Sequence, residues 1–219
     1  MAVTVTYSNH YKYALKKKLI EESSDTIKVL LMRSGFVFNK DDHAQLKNIK
    51  GDTTAITMNS VSGTKKFTRA SGSFVTDGFV VGNKFTASGF GGGVDGIYTI
   101  LTISALEIVV NEAVAGDITG GGDERLIADD ELATGGGYTQ NTKTTGTVTV
   151  TEDDTYDRCD STFPTVTWTA SGANIGPTPG AIIYDTTADV VICYIDFDGE
   201  VTKSPPDSLS IGNGTLRVA

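Results

Sequence analysis

Residues that commonly perform chemistry are scarce in this chain of 219 residues. It has two histidines, His10 and His43, two cysteines and one tryptophan. It also lacks the H-x-x-x-H, C-x-x-C, G-x-S-x-G and G-x-x-x-x-G-K-[ST] patterns that carry metal, redox, hydrolase and nucleotide chemistry. Because no nucleophile with an orienting base is recognisable, we expect no enzyme activity, no cofactor and no metal.

Long apolar runs and an excess of positive charge are absent as well. The longest apolar runs, at 181–184 and 190–195, are far shorter than the roughly 18 residues of a membrane-spanning helix. The alternating residues 1–6 lack the apolar core of a secretory signal. The net charge is −9 and the pI about 4.6. Binding to nucleic acid or to an anionic membrane needs a basic face, so neither is expected.

The abundant residues are those of strands and turns, chiefly Thr, Val, Ile, Gly and Asp. One segment has helical spacing, because Tyr11, Leu15 and Leu19 recur every four residues. Ser8 or Asn9 precedes them as a capping residue, which predicts a helix of about 11 residues. Short strands are expected elsewhere, at 27–32, 55–58, 66–69, 84–87, 96–103, 106–110 and 190–197. The sequence therefore predicts a mainly β protein with one N-terminal helix.

Two parts of the chain differ in the length and spacing of their predicted strands, and this difference predicts two domains. Residues 1–49 and 122–219 contain the helix and the longer apolar strands. Residues 50–121 contain short strands about 8 to 12 residues apart, which is typical of a small barrel or sandwich. Residues 123–134 form an acidic connector between them. Because insertion into a loop costs little closure entropy, we predict an antiparallel β-sandwich-like host domain with a small β-barrel or sandwich inserted at 50–121.

Positive charge is concentrated near the N-terminus. Residues 1–66 carry 11 Lys/Arg and 6 Asp/Glu, and the remainder carries 7 and 21, so the two parts have net charges of +5 and −14. This asymmetry permits contact between copies of the chain, and Lys16, Lys17 and Lys18 at the predicted helix end are the candidate contact. The simpler interpretation is a solvated helix end that complements the helix dipole.

Acidic and cysteine-containing segments have simple structural interpretations. The acidic segments 152–154 and 196–200 offer hard oxygen ligands for Ca²⁺, but neither matches the 12-residue calcium loop, and solvated turns are favoured. Cys159 and Cys193 can form a disulfide only if their Cα atoms lie within about 7 Å. Two thiols are favoured, with Cys193 buried in a strand.

Histidine and aromatic candidates are interpreted in the same way. His43 follows two aspartates and is expected in a surface loop. Trp168, Tyr138 and Tyr184 could form a platform for a sugar, but the alternation of Trp168 with Val166 favours a core position. A glycosidase would need two carboxylates that converge across a cleft, and the sequence shows no such pair.

Two blocks resemble a known family. Residues 1–46 contain Y-A-L and then D-T-I-K-V-L-L, and residues 123–219 contain G-Y-T, V-T-W and Y-I-D-F in that order. This order resembles small structural proteins from the virion modules of tailed bacteriophages. The middle block resembles a small β-module of phage tail and virion proteins, and the likeness is carried by segments 67–74, 77–82 and 96–100.

The resemblance implies a virion protein that is assembled in the bacterial cytoplasm and acts by protein–protein association. A capsid decoration (cement) protein is favoured over a neck or tail component. Other virion structural proteins and further copies of the chain are the expected partners. In the alternative, the inserted module binds a receptor or a host surface glycan through an exposed loop that contains Phe90, Gly91, Gly92, Gly93 and Asp95.

Overall fold

The computed structural model describes residues 4–53, 57–154, 158–212 and 214–218. Within them the structure is mainly β, with antiparallel sheets and one helix near the N-terminus, so the predicted fold class is confirmed. The elements are β1 (Thr4–Tyr7), α1 (Asn9–Lys16), β2 (Ile27–Leu31), a 3₁₀ turn (Leu46–Asn48), β3 (Met58–Val61), β4 (Lys66–Arg69), β5 (Lys84–Ser88), β6 (Gly96–Ile103), β7 (Glu107–Val110), β8 (Arg125–Ala128), β9 (Thr149–Asp153), β10 (Arg158–Phe163), β11 (Val166–Thr169), β12 (Ile175–Asp185), β13 (Val190–Lys203), β14 (Ser208–Ile211) and β15 (Gly214–Val218).

The chain divides into two compact units. Unit 1 comprises Met1–Ala44 and Glu131–Ala219, and unit 2 comprises Gln45–Asp130. The sequence predicts that the inserted domain ends at residue 121, whereas unit 2 of the structure ends at Asp130. The expectation of an acidic connector at 123–134 is wrong at its start, because β8 pairs with β5 and is a strand of unit 2.

The described residues of unit 1 form three antiparallel sheets. The largest has the strand order β1-β13-β12-β2, and the others are β15-β10-β9 and β11-β14. β12 and β13 form a long hairpin, and the free side of β12 pairs with β2, where Ile183 lies opposite Val29. The outer edge of β2 is bridged at Lys28–Thr144 and Met32–Glu131. Consecutive residues of these strands point to opposite faces of the sheet and are buried, as at Leu30 and Leu31 and at Ile182 and Ile183, so β2 and β12 are apolar on both faces.

The helix α1 packs on unit 1 and buries Tyr11 and Ala14. The same core contains Trp168, which is 4% exposed and lies 5.9 Å from the Tyr138 ring. The core position predicted for Trp168 is therefore confirmed. The helix has eight residues and not the predicted 11, because the chain leaves helical geometry at Lys18, where φ is +56°.

Unit 2 is a curved six-stranded sheet with the order β3-β4-β7-β6-β5-β8. Residues 51–53 pair with the outer edge of β8, since the Thr53 amide donates to Leu126 O at 3.1 Å and the Ala128 amide to Gly51 O at 2.7 Å. β3 follows a few residues later at the opposite end of the sheet. The sheet therefore curls towards closure around an aromatic core that includes Phe67, Phe85 and Tyr98.

Candidate interaction surface

The three predicted lysines lie where α1 ends. Ser8 caps the start of the helix by accepting a hydrogen bond from the His10 amide at 3.2 Å. At the other end, the Lys18 amide donates to Leu15 O and the Leu19 amide to Ala14 O, both at 3.0 Å. This pair of bonds is a Schellman motif, which requires a left-handed residue at the position of Lys18. The sequence does not indicate this motif, because the glycine that usually occupies the left-handed position is absent.

Around this motif, lysines and large apolar side chains are exposed to solvent together. We define the helix-end patch as Tyr13, Lys16, Lys17, Lys18 and Leu19, all of which are exposed. Leu19 is 56% exposed and Tyr13 52%, and the Lys17 ammonium lies 5.8 Å from the centre of the Tyr13 ring. Leu19 was predicted on the buried helical face, and its exposure follows from the early end of the helix. Exposed apolar side chains among cations are typical of a contact surface.

A pocket of about 340 Å³ lies beside this patch in unit 1. We call it the Glu22 pocket, because its one mostly buried charged group is the Glu22 carboxylate, 7% exposed. Glu22 accepts a hydrogen bond from the Tyr11 hydroxyl at 2.7 Å, and no cation pairs with it among the described residues. The lining includes Tyr11, Leu15, Ile20, Glu21, Glu22 and Val150.

The Glu22 charge influences its buried neighbours. Burial is the main reason that the pKa values of Tyr11 and Cys193 are raised, and the nearby Glu22 carboxylate raises both further. Tyr11 and Cys193 therefore stay neutral, so neither of these two buried groups adds a charge next to the Glu22 carboxylate. The sequence shows Glu21 and Glu22 after the lysines, but not that Tyr11 holds Glu22 in a pocket.

Unit 1 also has an apolar groove of about 530 Å³ beside β1. β1 is the terminal strand of the four-stranded sheet. The groove lies along β1, β13 and β14, with Lys203 and two serines of β14 among its polar lining residues. Its apolar lining consists of Val5, Ile195, Phe197, Val201, Leu209 and Ile211.

The expected exposed loop of unit 2 is only partly exposed. Gly91, Gly92, Gly93 and Asp95 are exposed, and the Asp95 carboxylate accepts from the amides of Phe90 at 2.9 Å and Gly91 at 3.2 Å. The expectation that Phe90 is exposed is wrong, since it is 6% exposed and its ring centre lies 5.2 Å from that of Phe67. Phe90 is drawn into the aromatic core, so the loop presents backbone and one carboxylate but no aromatic ring.

His43 and the proposed aromatic platform also occupy buried positions. The surface position expected for His43 is wrong, because its Nδ1 accepts from the Asn39 amide at 2.9 Å and its ring packs on Phe36 at 5.2 Å. Tyr138 and Tyr184 are buried, as is Trp168. A sugar platform made from these three rings is therefore not present on the surface.

The acidic segments and cysteines serve local structure. Asp196 accepts from the Asp198 amide at 2.9 Å where the chain turns left-handed, and Ser34 donates to Glu200. Within the described ranges, no group of three or more His, Cys, Asp or Glu residues is placed to hold a metal ion. Cys193 is a buried free thiol in β13, as predicted, and the side chain of Cys159 lies outside the described residues.

One buried carboxylate in unit 1 is held with a raised pKa. Asp185 is fully buried at the end of β12, and its Oδ1 accepts from the amides of Thr187 at 2.8 Å and Ala188 at 3.0 Å. Its Oδ2 has no hydrogen-bond donor in the described structure. Burial raises the pKa of Asp185 to about 6, with the charge of Asp25 adding to the shift and the amide hydrogen bonds opposing it.

This pKa predicts a stability that falls as the pH rises. The folded pKa lies above the ordinary value of 3.8, so ionisation of Asp185 destabilises the fold between about pH 4 and pH 6. Asp185→Asn keeps the Oδ1 acceptor and removes the charge, and we expect it to stabilise the protein by about 1 to 3 kcal/mol at pH 8 and by little at pH 4. Urea unfolding at both pH values, followed by Trp168 fluorescence, measures this difference.

The exposed Asp207 provides a matched control, because Asp207→Asn removes an acidic charge that is already solvated. We expect no pH-dependent gain in that variant. A gain for Asp185→Asn that is equal at pH 4 and pH 8 would contradict the assigned titration.

Comparison with models of protein families, with curated proteins and with solved structures finds no match for this chain. Among the described residues, no helix has the length and apolar character needed to cross a membrane.

Proposed function

We propose that this chain is a non-enzymatic structural protein of a tailed-phage virion, and specifically a capsid decoration protein. It acts by binding other virion proteins and further copies of itself. The sequence resemblance supports the virion assignment, and the two β units, each with its own core, suit a protein that presents surfaces and does not enclose a reactive cleft.

The helix-end patch is the observation that supports association most directly. The side-chain ammonium groups of Lys16 and Lys18 make no hydrogen bond or ion pair among the described residues. Lys18 is next to the exposed Leu19 in sequence, and Lys16 is three residues from both Leu19 and the exposed Tyr13. The packed helix fixes the backbone of Tyr13 and Lys16, so binding there has to order only the side chains. Electrostatic attraction steers such a patch to an acidic surface, and burial of Leu19 and Tyr13 stabilises the contact.

Charge reversal of the patch tests this function. The triple variant Lys16→Glu, Lys17→Glu, Lys18→Glu is expected to reduce incorporation into particles by about tenfold or more, because each attraction becomes a repulsion. Quantitative mass spectrometry of purified particles, with the variant and the wild-type chain expressed in competition, measures the ratio.

A second triple variant supplies the control for the change in net charge. Lys47, Lys65 and Lys84 are exposed lysines outside the patch, and their reversal changes the net charge by the same amount. We expect near-normal incorporation of that control. Equal incorporation of the patch variant and the wild-type chain would refute the role of the patch.

A further inference from the structure

The Glu22 pocket has the chemistry of a site for a lysine side chain. A carboxylate that is 7% exposed and has no cation among its described neighbours is costly to bury, and an incoming ammonium offsets that cost. Leu15, Ile20 and Val150 add apolar wall, which suits the aliphatic stem of a lysine. The volume of about 340 Å³ accommodates such a side chain and its ammonium.

The helix-end patch supplies a lysine of this kind. The Lys18 side chain is exposed and its ammonium makes no hydrogen bond or ion pair among the described residues. Lys18 immediately precedes the exposed Leu19 and is two residues before Ile20 of the pocket wall. The cationic donor and the acidic pocket therefore belong to one short stretch of surface, Leu15 to Glu22 in sequence.

A surface that carries both partners of a contact can bind a second copy of itself around a two-fold axis. In such an isologous interface, residue i contacts residue j of the other copy, and j contacts i. Building on the proposed function in association, we infer that two copies of this chain form a two-fold dimer in which Lys18 of each copy enters the Glu22 pocket of the other.

The apolar members of the patch complete this interface. Leu19 and Tyr13 are each more than half exposed and lie next to the charged groups in sequence. Their burial at the centre of the dimer supplies the apolar area, while the two Lys18–Glu22 pairs select the register. The attraction between the exposed lysines of one copy and the acidic pocket of the other acts through solvent as the copies approach and is screened by salt, so the dimer weakens as ionic strength rises.

Measurement of the mass of the purified full chain in solution tests the dimer. Sedimentation equilibrium at low salt is expected to show a monomer–dimer equilibrium with two copies as the limit. Lys18→Gly removes the ammonium and places glycine at a left-handed position that favours it, so this variant keeps its fold. Glu22→Gln removes the charge and keeps an oxygen to accept from Tyr11. Each variant is expected to raise the dimer dissociation constant at least tenfold.

The double variant separates direct contact from a general effect. If Lys18 and Glu22 pair across the interface, Lys18→Gly with Glu22→Gln weakens the dimer little more than either single change. Lys47→Gln, at an exposed lysine outside the patch, is expected to leave the dissociation constant unchanged. A chain that stays monomeric at the highest soluble concentration, or single effects that simply add, would overturn the proposed dimer.

Sedimentation in solution tests the dimer and incorporation into particles tests the virion role, so each proposal can be contradicted while the other is supported. A monomeric chain whose patch variants are still lost from particles contradicts the dimer and leaves the virion role intact. A dimer that responds to both variants, in a chain that particles do not incorporate, supports the dimer and contradicts the virion role.

Discussion

Phe67→Ala is expected to unfold unit 2 under conditions in which unit 1 stays folded. Phe67 is fully buried, and its ring centre lies 4.9 Å from Tyr98, 5.2 Å from Phe90 and 5.4 Å from Phe85. Removal of a buried phenyl ring leaves a cavity that costs about 3 to 5 kcal/mol, a large part of the stability of a small domain. Trp168, the one tryptophan of the chain, lies in the core of unit 1 and reports on that unit alone.

Thermal unfolding followed by two signals measures this effect. Far-ultraviolet circular dichroism is expected to show an early loss of strand signal in Phe67→Ala, while Trp168 fluorescence keeps the wild-type transition. Leu101→Ala, at an exposed position on β6 of the same sheet, is the control and is expected to leave both signals near their wild-type values. Simultaneous loss of both signals in Phe67→Ala would show that the two units unfold as one body.

Gly137→Ala is expected to destabilise unit 1 by about 2 to 4 kcal/mol. Gly137 has a φ of +93°, and a Cβ atom at this position would lie 2.2 Å from the carbonyl oxygen of Thr169, so the backbone has to move. The next residue, Tyr138, donates from its hydroxyl to Glu131 at 2.7 Å and accepts from the Leu31 amide at 3.0 Å. A shift of Gly137 therefore also disturbs buried hydrogen bonds on β2.

The same turn provides a control. Gly135 has open space where a Cβ atom would be added and is not in the left-handed region. Gly135→Ala is expected to change the free energy of unfolding by less than about 0.5 kcal/mol. Urea unfolding of both variants, followed by Trp168 fluorescence, checks the difference. Similar stability in the two variants would mean that the turn accommodates a side chain at 137.

Strands with a strong alternating or apolar pattern were predictable from the sequence. The predictions at 66–69 and 96–103 have the same bounds as β4 and β6, and the prediction at 27–32 differs from β2 by one residue. β13 extends beyond the predicted 190–197 to Lys203, because the chain passes a left-handed Asp198 and Gly199 and then resumes pairing with β12. From the local sequence alone, Asp198 and Gly199 indicate a turn that ends the strand.

The burial of Phe90 and His43 could not be predicted from local sequence. Phe90 precedes three glycines, which indicate an exposed turn, and its burial depends on Phe67, a residue distant in the chain. His43 follows two aspartates, but its ring is enclosed by Phe36 and Phe38. In both cases non-local aromatic packing outweighs the local signal.

The lysines of the candidate site were predictable, whereas its pocket was not. Lys16, Lys17 and Lys18 form an obvious cluster in the sequence. The pocket depends on the hydrogen bond between Tyr11 and Glu22, which are 11 residues apart, and on Val150 from the other segment of unit 1. Only the folded chain brings these groups together.

The most direct test of the proposed function is cryo-electron microscopy of the phage particles made from the genome that encodes this chain. A decoration protein predicts density for both β units on the outer surface of the head, in dimers or trimers at the symmetry axes of the shell. Rings of the chain stacked along the tail axis would contradict the decoration role and would show that the chain is a tail component. Purified particles that lack the chain entirely would contradict the assignment to a virion.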